Sequence, residues 1–265
     1  MGFLRSFIRL IAFLVFSACC CLHFLFTMWM TGRSRDTRKR AVWCQFWAST
    51  LLKLLGVRVT VHGSFPTQGL MVSNHLSYLD IIVYASCQPF IFVSKSEVKR
   101  WPIIGIMTQC AGTLFINRAE RGDVKRMAEA FAPVIERGNV ITLFPEGTST
   151  GGDRVLPFFS SLFEPAAVHG WSVSPSWIGY VVPGGDASEE VAYWKDMTFF
   201  PHLLHLFGLQ EIRAIVRPGV AAPPGLNRKQ MAKRMHEQVC QLAYDEGRSL
   251  VVPPPGLSTA SIPRS

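Results

Sequence analysis

Val72-Ser73-Asn74-His75-Leu76-Ser77-Tyr78-Leu79-Asp80 is the stretch on which the reading of this chain turns. The apolar run Gly69 to Ser73 leads into it and reads as a short buried strand, and Ile81-Ile82-Val83-Tyr84 leaves it as the start of a helix. His75 and Asp80 therefore stand five positions apart at a strand-to-helix junction, where the backbone turns and side chains face one cleft. If the chain turns helically after His75, Asp80 returns to the same side and accepts the imidazole Nδ1–H. That contact fixes the tautomer, leaves Nε2 free as a base and stabilises the imidazolium once it takes a proton. Short His/Asp spacings also arise by chance, with a capping histidine and an unrelated surface carboxylate, so the rest of the chain has to decide.

Working outward, the period of the apolar residues alternates between strand and helix. Val57 to Gly63, Gly69 to Ser73, Pro89 to Ser94, Gly112 to Asn117 and Asn139 to Phe144 read as strands. Helical candidates lie between them at Leu79–Cys87, Ile103–Cys110 and Asp123–Arg137. Later strands are expected near Ser174–Val182 and Ile212–Arg217, followed by an amphipathic helix over Asn227–Glu246 with Asn227 as its cap. This pattern predicts an α/β domain over residues 56–250, with a mixed, mostly parallel sheet flanked by helices. Residues 251–265 are rich in Pro and Ser and read as a flexible tail.

Residues 1–55 read as N-terminal membrane-anchoring helices. Leu10 to Met30 carries only His23 as a possible charge and is long enough to cross or insert into a bilayer as a helix. Arg5 and Arg9 precede it, while Arg33, Arg35, Arg38, Lys39 and Arg40 follow, which places the main body on the cytoplasmic face. A secretion signal is the rival, but the apolar stretch is long for one and no clear small-x-small site ends it. Ala41 to Leu55 continues at helical spacing, with Trp43 and Trp47 suited either to a membrane–water boundary or to a core. Thr198 to Leu209 is similarly open between a second membrane-facing patch and a core segment.

Composition narrows the partners. The net charge is +9, which suits nucleic acid, an anionic membrane surface or an acidic substrate. No basic-aromatic recognition motif is present, and charged residues are only 17 %, so nucleic acid gives way to the membrane. The seven cysteines form no C-x-x-C pair and no His/Cys ligand spacing, which excludes a zinc site or disulfide frame by pattern.

Two further stretches follow predicted strands, at the edge where open α/β sheets bind ligands. Asn117-Arg118 offers a planar guanidinium for a phosphate or carboxylate, or else a surface ion pair with Glu120 or Asp123. Phe144-Pro145-Glu146-Gly147-Thr148 combines a carboxylate with a glycine that lets the backbone approach a ligand. In order, Asn74-His75-x4-Asp80, Phe115-x-Asn117-Arg118, Phe144-Pro145-Glu146-Gly147-Thr148 and Val181-Val182-Pro183 resemble the glycerolipid acyltransferase family that includes lysophosphatidate acyltransferases. The resemblance covers about Val57 to Arg217.

What the resemblance implies is specific. The fold would be glycerol-3-phosphate acyltransferase-like. His75 and Asp80 would be catalytic; Asn117, Arg118, Glu146, Gly147 and Thr148 would bind the acceptor; Asn74, Ser77, Val182 and Pro183 would line the site. No cofactor and no metal are implied; the acyl donor would be acyl-CoA or acyl-carrier protein. The expected partners are a lysophospholipid, the acyl thioester and the bilayer, with acyl-carrier protein as a further candidate. The expected reaction is acyl transfer to the free sn-2 hydroxyl of lysophosphatidate, giving phosphatidate. One departure bears on the acceptor: relatives commonly place lysine after Pro-Phe, where this chain has Phe159 in Pro157-Phe158-Phe159. Another lysolipid, such as lyso-ornithine lipid, is therefore the alternative acceptor, and a non-catalytic membrane-binding protein of the same fold is the alternative of another class. A serine hydrolase, another chemistry that suits an α/β sheet, ranks low.

Overall fold

The computed structural model describes residues 2–101, 103–116, 123–223, 225–248 and 250. Asn117, Arg118 and the tail at 251–265 lie outside the described residues.

Helix α1 runs Gly2–Phe24 and continues through a π-helical turn at Leu25–Trp29, so it begins well before the expected Leu10. Arg5 and Arg9 lie inside the helix and bind the C-terminal turn of a later helix, α8 (Phe199–Gly208). Arg5 Nη1 donates to the Gly208 carbonyl at 2.9 Å, and Arg9 Nη1 donates to Phe207 at 3.1 Å and Leu209 at 2.5 Å. The last carbonyls of a helix have no partner within it and carry its negative dipole end, so paired guanidiniums satisfy both demands. Along its length α1 packs Phe16 and Cys20 into the core while Phe3, Phe7, Ile8, Ile11, Val15 and Phe26 stay exposed.

Helix α2 (Thr37–Leu55) starts on Asp36, whose side chain accepts from the Lys39 N–H. It ends at Gly56, whose φ of 71° lets the chain turn in the left-handed region. Its Trp43 is buried against Phe24, and the Trp47 Nε1–H donates to His23 Nδ1 at 2.9 Å. The tryptophans thus serve helix packing.

The remaining elements alternate: β1 (Val57–Val61), β2 (Gly69–Ser73), α3 (Leu79–Cys87), β3 (Phe90–Lys95), α4 (Ile104–Ala111), β4 (Leu114–Ile116), α5 (Asp123–Ile135) and β5 (Val140–Leu143). They continue with α6 (Glu164–His169), β6 (Val173–Val181), α7 (Ala187–Glu190), α8, β7 (Ile212–Pro218) and α9 (Arg228–Asp245). One seven-stranded sheet results, in the order β1-β7-β6-β2-β5-β3-β4. Every neighbouring pair is parallel except β6 with β7. The mixed, mostly parallel sheet expected from the alternating pattern is the one observed.

Apolar side chains form a core on each face of the sheet. One joins α1, α2, α3 and α8 through residues such as Leu51, Leu79, Val83 and Phe207. The other joins α5 and α9 through Phe131, Val134, Met235 and Val239. The segment around α8 belongs to the first core, since His202, Leu206 and Phe207 are buried, although Phe200 is exposed. Because β2, β5, β3 and β6 run parallel, the loops leaving their C-terminal ends share one edge, and the candidate residues collect there.

Candidate active site

Strand β2 is buried along its whole length, so the chain leaving it is held from below. Strand β6 extends beyond the end of β2, and the Asn74 side chain substitutes for the missing strand. It donates to the Ile178 carbonyl and accepts from the Ile178 N–H, both at 2.9 Å. His75 follows directly, its ring stacked on Phe144 with centroids 4.3 Å apart.

His75 Nδ1 lies 2.8 Å from Asp80 Oδ2, with the histidine side chain 22 % exposed and the aspartate fully buried. The same oxygen accepts the Leu76 N–H at 2.7 Å and the Ser77 N–H at 3.0 Å. Tyr180 donates its hydroxyl to the other oxygen, Oδ1, at 2.7 Å. A buried carboxylate is costly unless its lone pairs are used, and here donors surround it. The arrangement aims Nδ1–H at Asp80 and leaves Nε2 as the ring's free nitrogen, the disposition of an oriented general base.

Tyr180 escaped the sequence reading. It sits within the expected strand, and its only signal was a polar tip in a buried run that also holds Ser174 and Ser176. Burial, with the adjacent Asp80 charge, pushes its hydroxyl well above the ordinary tyrosine range, so it remains a donor. Replacing Tyr180 by Phe strands Asp80 Oδ1 without this partner. The expected result is a loss of about 1–3 kcal/mol in urea unfolding, together with a roughly tenfold fall in kcat. An unaltered unfolding midpoint would contradict the assigned bond.

Glu146 is nearly buried, and both oxygens are occupied by backbone: Oε1 accepts the His75 N–H and Oε2 the Leu156 N–H, each at 2.7 Å. It links the histidine to the loop after β5, and this loop is tied again by the Thr150 N–H to the His75 carbonyl at 3.0 Å. Burial pushes the Glu146 carboxyl up to about 8, against the two amide donors that favour its charge, with Asp80 adding a smaller upward push. A raised folded-state pKa means the native state holds a proton that the unfolded chain has released. The stabilisation is complete below the ordinary value of 4.5 and is lost as pH rises through about 8. The melting temperature should therefore decline between about pH 5 and about pH 9, and Glu146→Gln should flatten that decline. Identical slopes for the two proteins would refute the assignment.

The other expected site residues fall differently. Gly147, with φ of 74°, forms the turn after Glu146, and Thr148 is exposed beside it. Ser77 is buried with its Oγ unpartnered among the described residues. Val182 is buried at the end of β6, while Pro183 faces solvent. Asn117 and Arg118 follow β4 and are outside the described residues. Two cavities flank the junction. An apolar one of about 170 Å³ is lined by Trp47, Tyr78, Ile82, Met107, Phe199 and Leu203. A more polar one of about 260 Å³ lies against Asn74, Leu76 and the end of β6. Among the described residues no His/Cys/Asp/Glu group is arranged to hold a metal ion.

The class of molecule defined so far is an α/β protein with a histidine paired to a buried carboxylate at the C-terminal edge of its sheet. Comparison with known proteins carries the assignment further. A sequence model described as Acyltransferase matches residues 58–179. The lyso-ornithine lipid O-acyltransferase of Rhizobium meliloti is 30 % identical over 232 residues, 81 % of this chain and 80 % of that one. The enzyme of the same name from Rhodobacter capsulatus is 37 % identical over 174 residues, 63 % of this chain and 60 % of that one. The 1-acyl-sn-glycerol-3-phosphate acyltransferase of Neisseria meningitidis serogroup B is 35 % identical over 128 residues, 48 % of this chain and 50 % of that one. Among solved structures, the 1-acyl-sn-glycerophosphate acyltransferase PlsC from Thermotoga maritima superposes with a TM-score of 0.64 at 18 % identity, covering 92 % of this chain and 98 % of that one. The last match shows the shared fold. The chain belongs to the acyltransferase family.

Proposed function

We propose that the protein is a membrane-associated lysolipid O-acyltransferase that moves a fatty acyl group directly from a thioester to a lipid hydroxyl. The observation that carries the chemistry is the His75–Asp80 pair, an imidazole 2.8 Å from a fully buried carboxylate. Nε2 of His75 removes the acceptor's hydroxyl proton as the oxygen attacks the thioester carbonyl. The tetrahedral adduct collapses with cleavage of the C–S bond, and the imidazolium returns the proton to the departing thiolate. Asp80 keeps the ring aligned and compensates its transient positive charge. Gly147 and Thr148, with Asn117 and Arg118, serve the acceptor. Glu146, with both oxygens occupied by backbone, acts on the reaction through the position of His75.

The apolar cavity between α1, α2, α3, α4 and α8 suits a fatty acyl chain, since Tyr78 and Leu79 in its wall follow His75 closely in the chain. The exposed apolar side chains of α1 form the membrane-facing surface. Because Arg5 and Arg9 at one end and Phe24 at the other are bound to the protein body, α1 lies along that body and dips into a leaflet. The basic residues at 33–40 support a body on the cytoplasmic side, where anionic lipid headgroups would meet them.

For the acceptor, lyso-ornithine lipid is favoured by the extent of similarity to the Rhizobium enzyme and by Phe159 at the position where a lysine is common. Lysophosphatidate is the second reading, supported by the Neisseria relative. The test uses purified protein with labelled acyl-CoA or acyl-carrier protein and each lysolipid in turn. Ornithine lipid as the main product supports the first reading, and phosphatidate as the main product supports the second. Thioester consumption without transfer to either lipid would overturn both.

A further inference from the structure

The polar cavity beside the junction has no role in the chemistry above. Its walls are the protruding end of β6, the chain at Asn74 and Leu76, the loop Gly151–Val155, and Arg248 and Leu250 after α9. Two cations border it, Arg154 and Arg248; Asp186 is the carboxylate in its lining, and Arg154 also pairs with Asp153 outside it at 2.6 Å. Asp186 is partly committed, because its Oδ1 caps α7 by accepting the Ser188 N–H at 2.8 Å. Arg248 donates to the Tyr180 carbonyl at 2.8 Å, which fixes its guanidinium on the open edge of β6. Asn74 occupies the N–H and carbonyl of Ile178 on this edge, and a strand repeats every two residues, so the Tyr180 N–H points the same way. No group among the described residues accepts from that N–H. An unpaired strand-edge donor beside two guanidiniums forms an anion receptor.

We propose that this cavity holds the anionic end of the acceptor's headgroup, a phosphate or a carboxylate, with Arg154 and Arg248 as its cationic contacts. The inference rests on the lysolipid acyltransferase reading and identifies where that enzyme tells acceptors apart. Position supports the assignment. The cavity adjoins the residues on either side of His75, and its outer wall continues the Glu146-Gly147-Thr148 loop through Thr150 to Arg154. In a lysolipid the anionic group lies a few bonds from the reacting hydroxyl, which suits a receptor whose wall includes the two chain neighbours of His75. In a pantetheine thioester the phosphate lies a long flexible arm away from the sulfur and would overshoot it. Arg154 also supplies a cation in the same loop in which Phe159 stands at the common lysine position. A headgroup that pairs a carboxylate with an amine would engage Asp186 as well, whereas a phosphate monoester would be repelled by it.

Arg154 is suited to mutation because its side chain is half exposed and pairs only with Asp153, its chain neighbour, among the contacts described. Full-length wild type, Arg154→Glu, Arg154→Lys and Arg248→Gln would be assayed with acceptor and acyl donor varied separately. Arg154→Glu is expected to raise the acceptor KM about tenfold or more, leave the donor KM within about twofold, and be largely rescued by Arg154→Lys. Asp186→Asn distinguishes the anion's source: it should weaken lyso-ornithine lipid use and spare or improve lysophosphatidate use. An unchanged acceptor KM in both arginine variants, or a rise confined to the donor KM, would overturn the proposal. Thermal-shift titration with glycerol 3-phosphate and with N-acetylornithine provides a readout independent of turnover. If wild type transfers acyl groups to neither lipid, the functional reading fails. A fragment shift lost in Arg154→Glu would still establish the anion site, and no shift in wild type would refute it.

Discussion

His75→Ala should lower kcat for acyl transfer by about three orders of magnitude while leaving the KM of both substrates within a few-fold. The size follows from the absence, among the described residues, of an alternative base at this position in the site. Asp80 is fully buried and Glu146 nearly so, and the oxygens of both are engaged by donors other than a substrate hydroxyl. The fold should tolerate the change. His75 is partly exposed, and Asp80 retains the Leu76 and Ser77 amides and the Tyr180 hydroxyl when the imidazole is gone. Circular dichroism and melting temperature should therefore stay close to wild type. Loss of activity accompanied by loss of fold would leave a structural histidine as the explanation. Retention of more than about a tenth of wild-type kcat would remove His75 from the role of base.

The parts of this arrangement legible in the sequence are those enforced by local periodicity. Gly69–Ser73 and Leu79–Cys87 were expected within their observed bounds because apolar period and chain punctuation agree there. The pairing of His75 with Asp80 was legible from their spacing, but the helical turn expected after His75 is absent: residues 74–77 are irregular, α3 starts at Leu79, and the Asp80 carboxylate reaches back over the Leu76 and Ser77 amides to the ring. The contacts that finish the site were not legible, because they depend on strand order. Tyr180 meets Asp80 only because β6 lies beside β2, and a pattern of short apolar runs does not specify that neighbour. Glu146 shows a related effect. In the sequence it is a carboxylate in a turn, available to a ligand, whereas in the fold two buried amides claim it. At the N-terminus the apolar character of α1 was evident, but its use was set elsewhere: α8 presents bare carbonyls, and Arg5 and Arg9 turn to them.

Asp80→Asn should cost about three to four orders of magnitude in kcat with little loss of stability, and the contrast with Asp80→Ala gives this test its force. An asparagine oxygen can occupy the place of Oδ2 and accept from His75 Nδ1, Leu76 N and Ser77 N, as the carboxylate does. Its amide group then faces Tyr180, whose hydroxyl can rotate and accept in place of donating. The hydrogen-bond count is preserved and the shape is nearly the same, but the negative charge is gone. The imidazolium formed as His75 takes the acceptor's proton then loses its counter-charge in a buried setting, where such a charge is worth most. Alanine removes the oxygens as well, leaving two buried amides and the Tyr180 hydroxyl without partners at roughly 1–3 kcal/mol each. Both variants should be nearly inactive, and only Asp80→Ala should show a markedly lower unfolding midpoint. If Asp80→Asn kept wild-type kcat, Asp80 would be a purely architectural brace and the proton transfer would need no fixed charge beneath the histidine. If both variants unfolded alike, the electrostatic and structural contributions of Asp80 would not be separable in the way its bonding pattern requires.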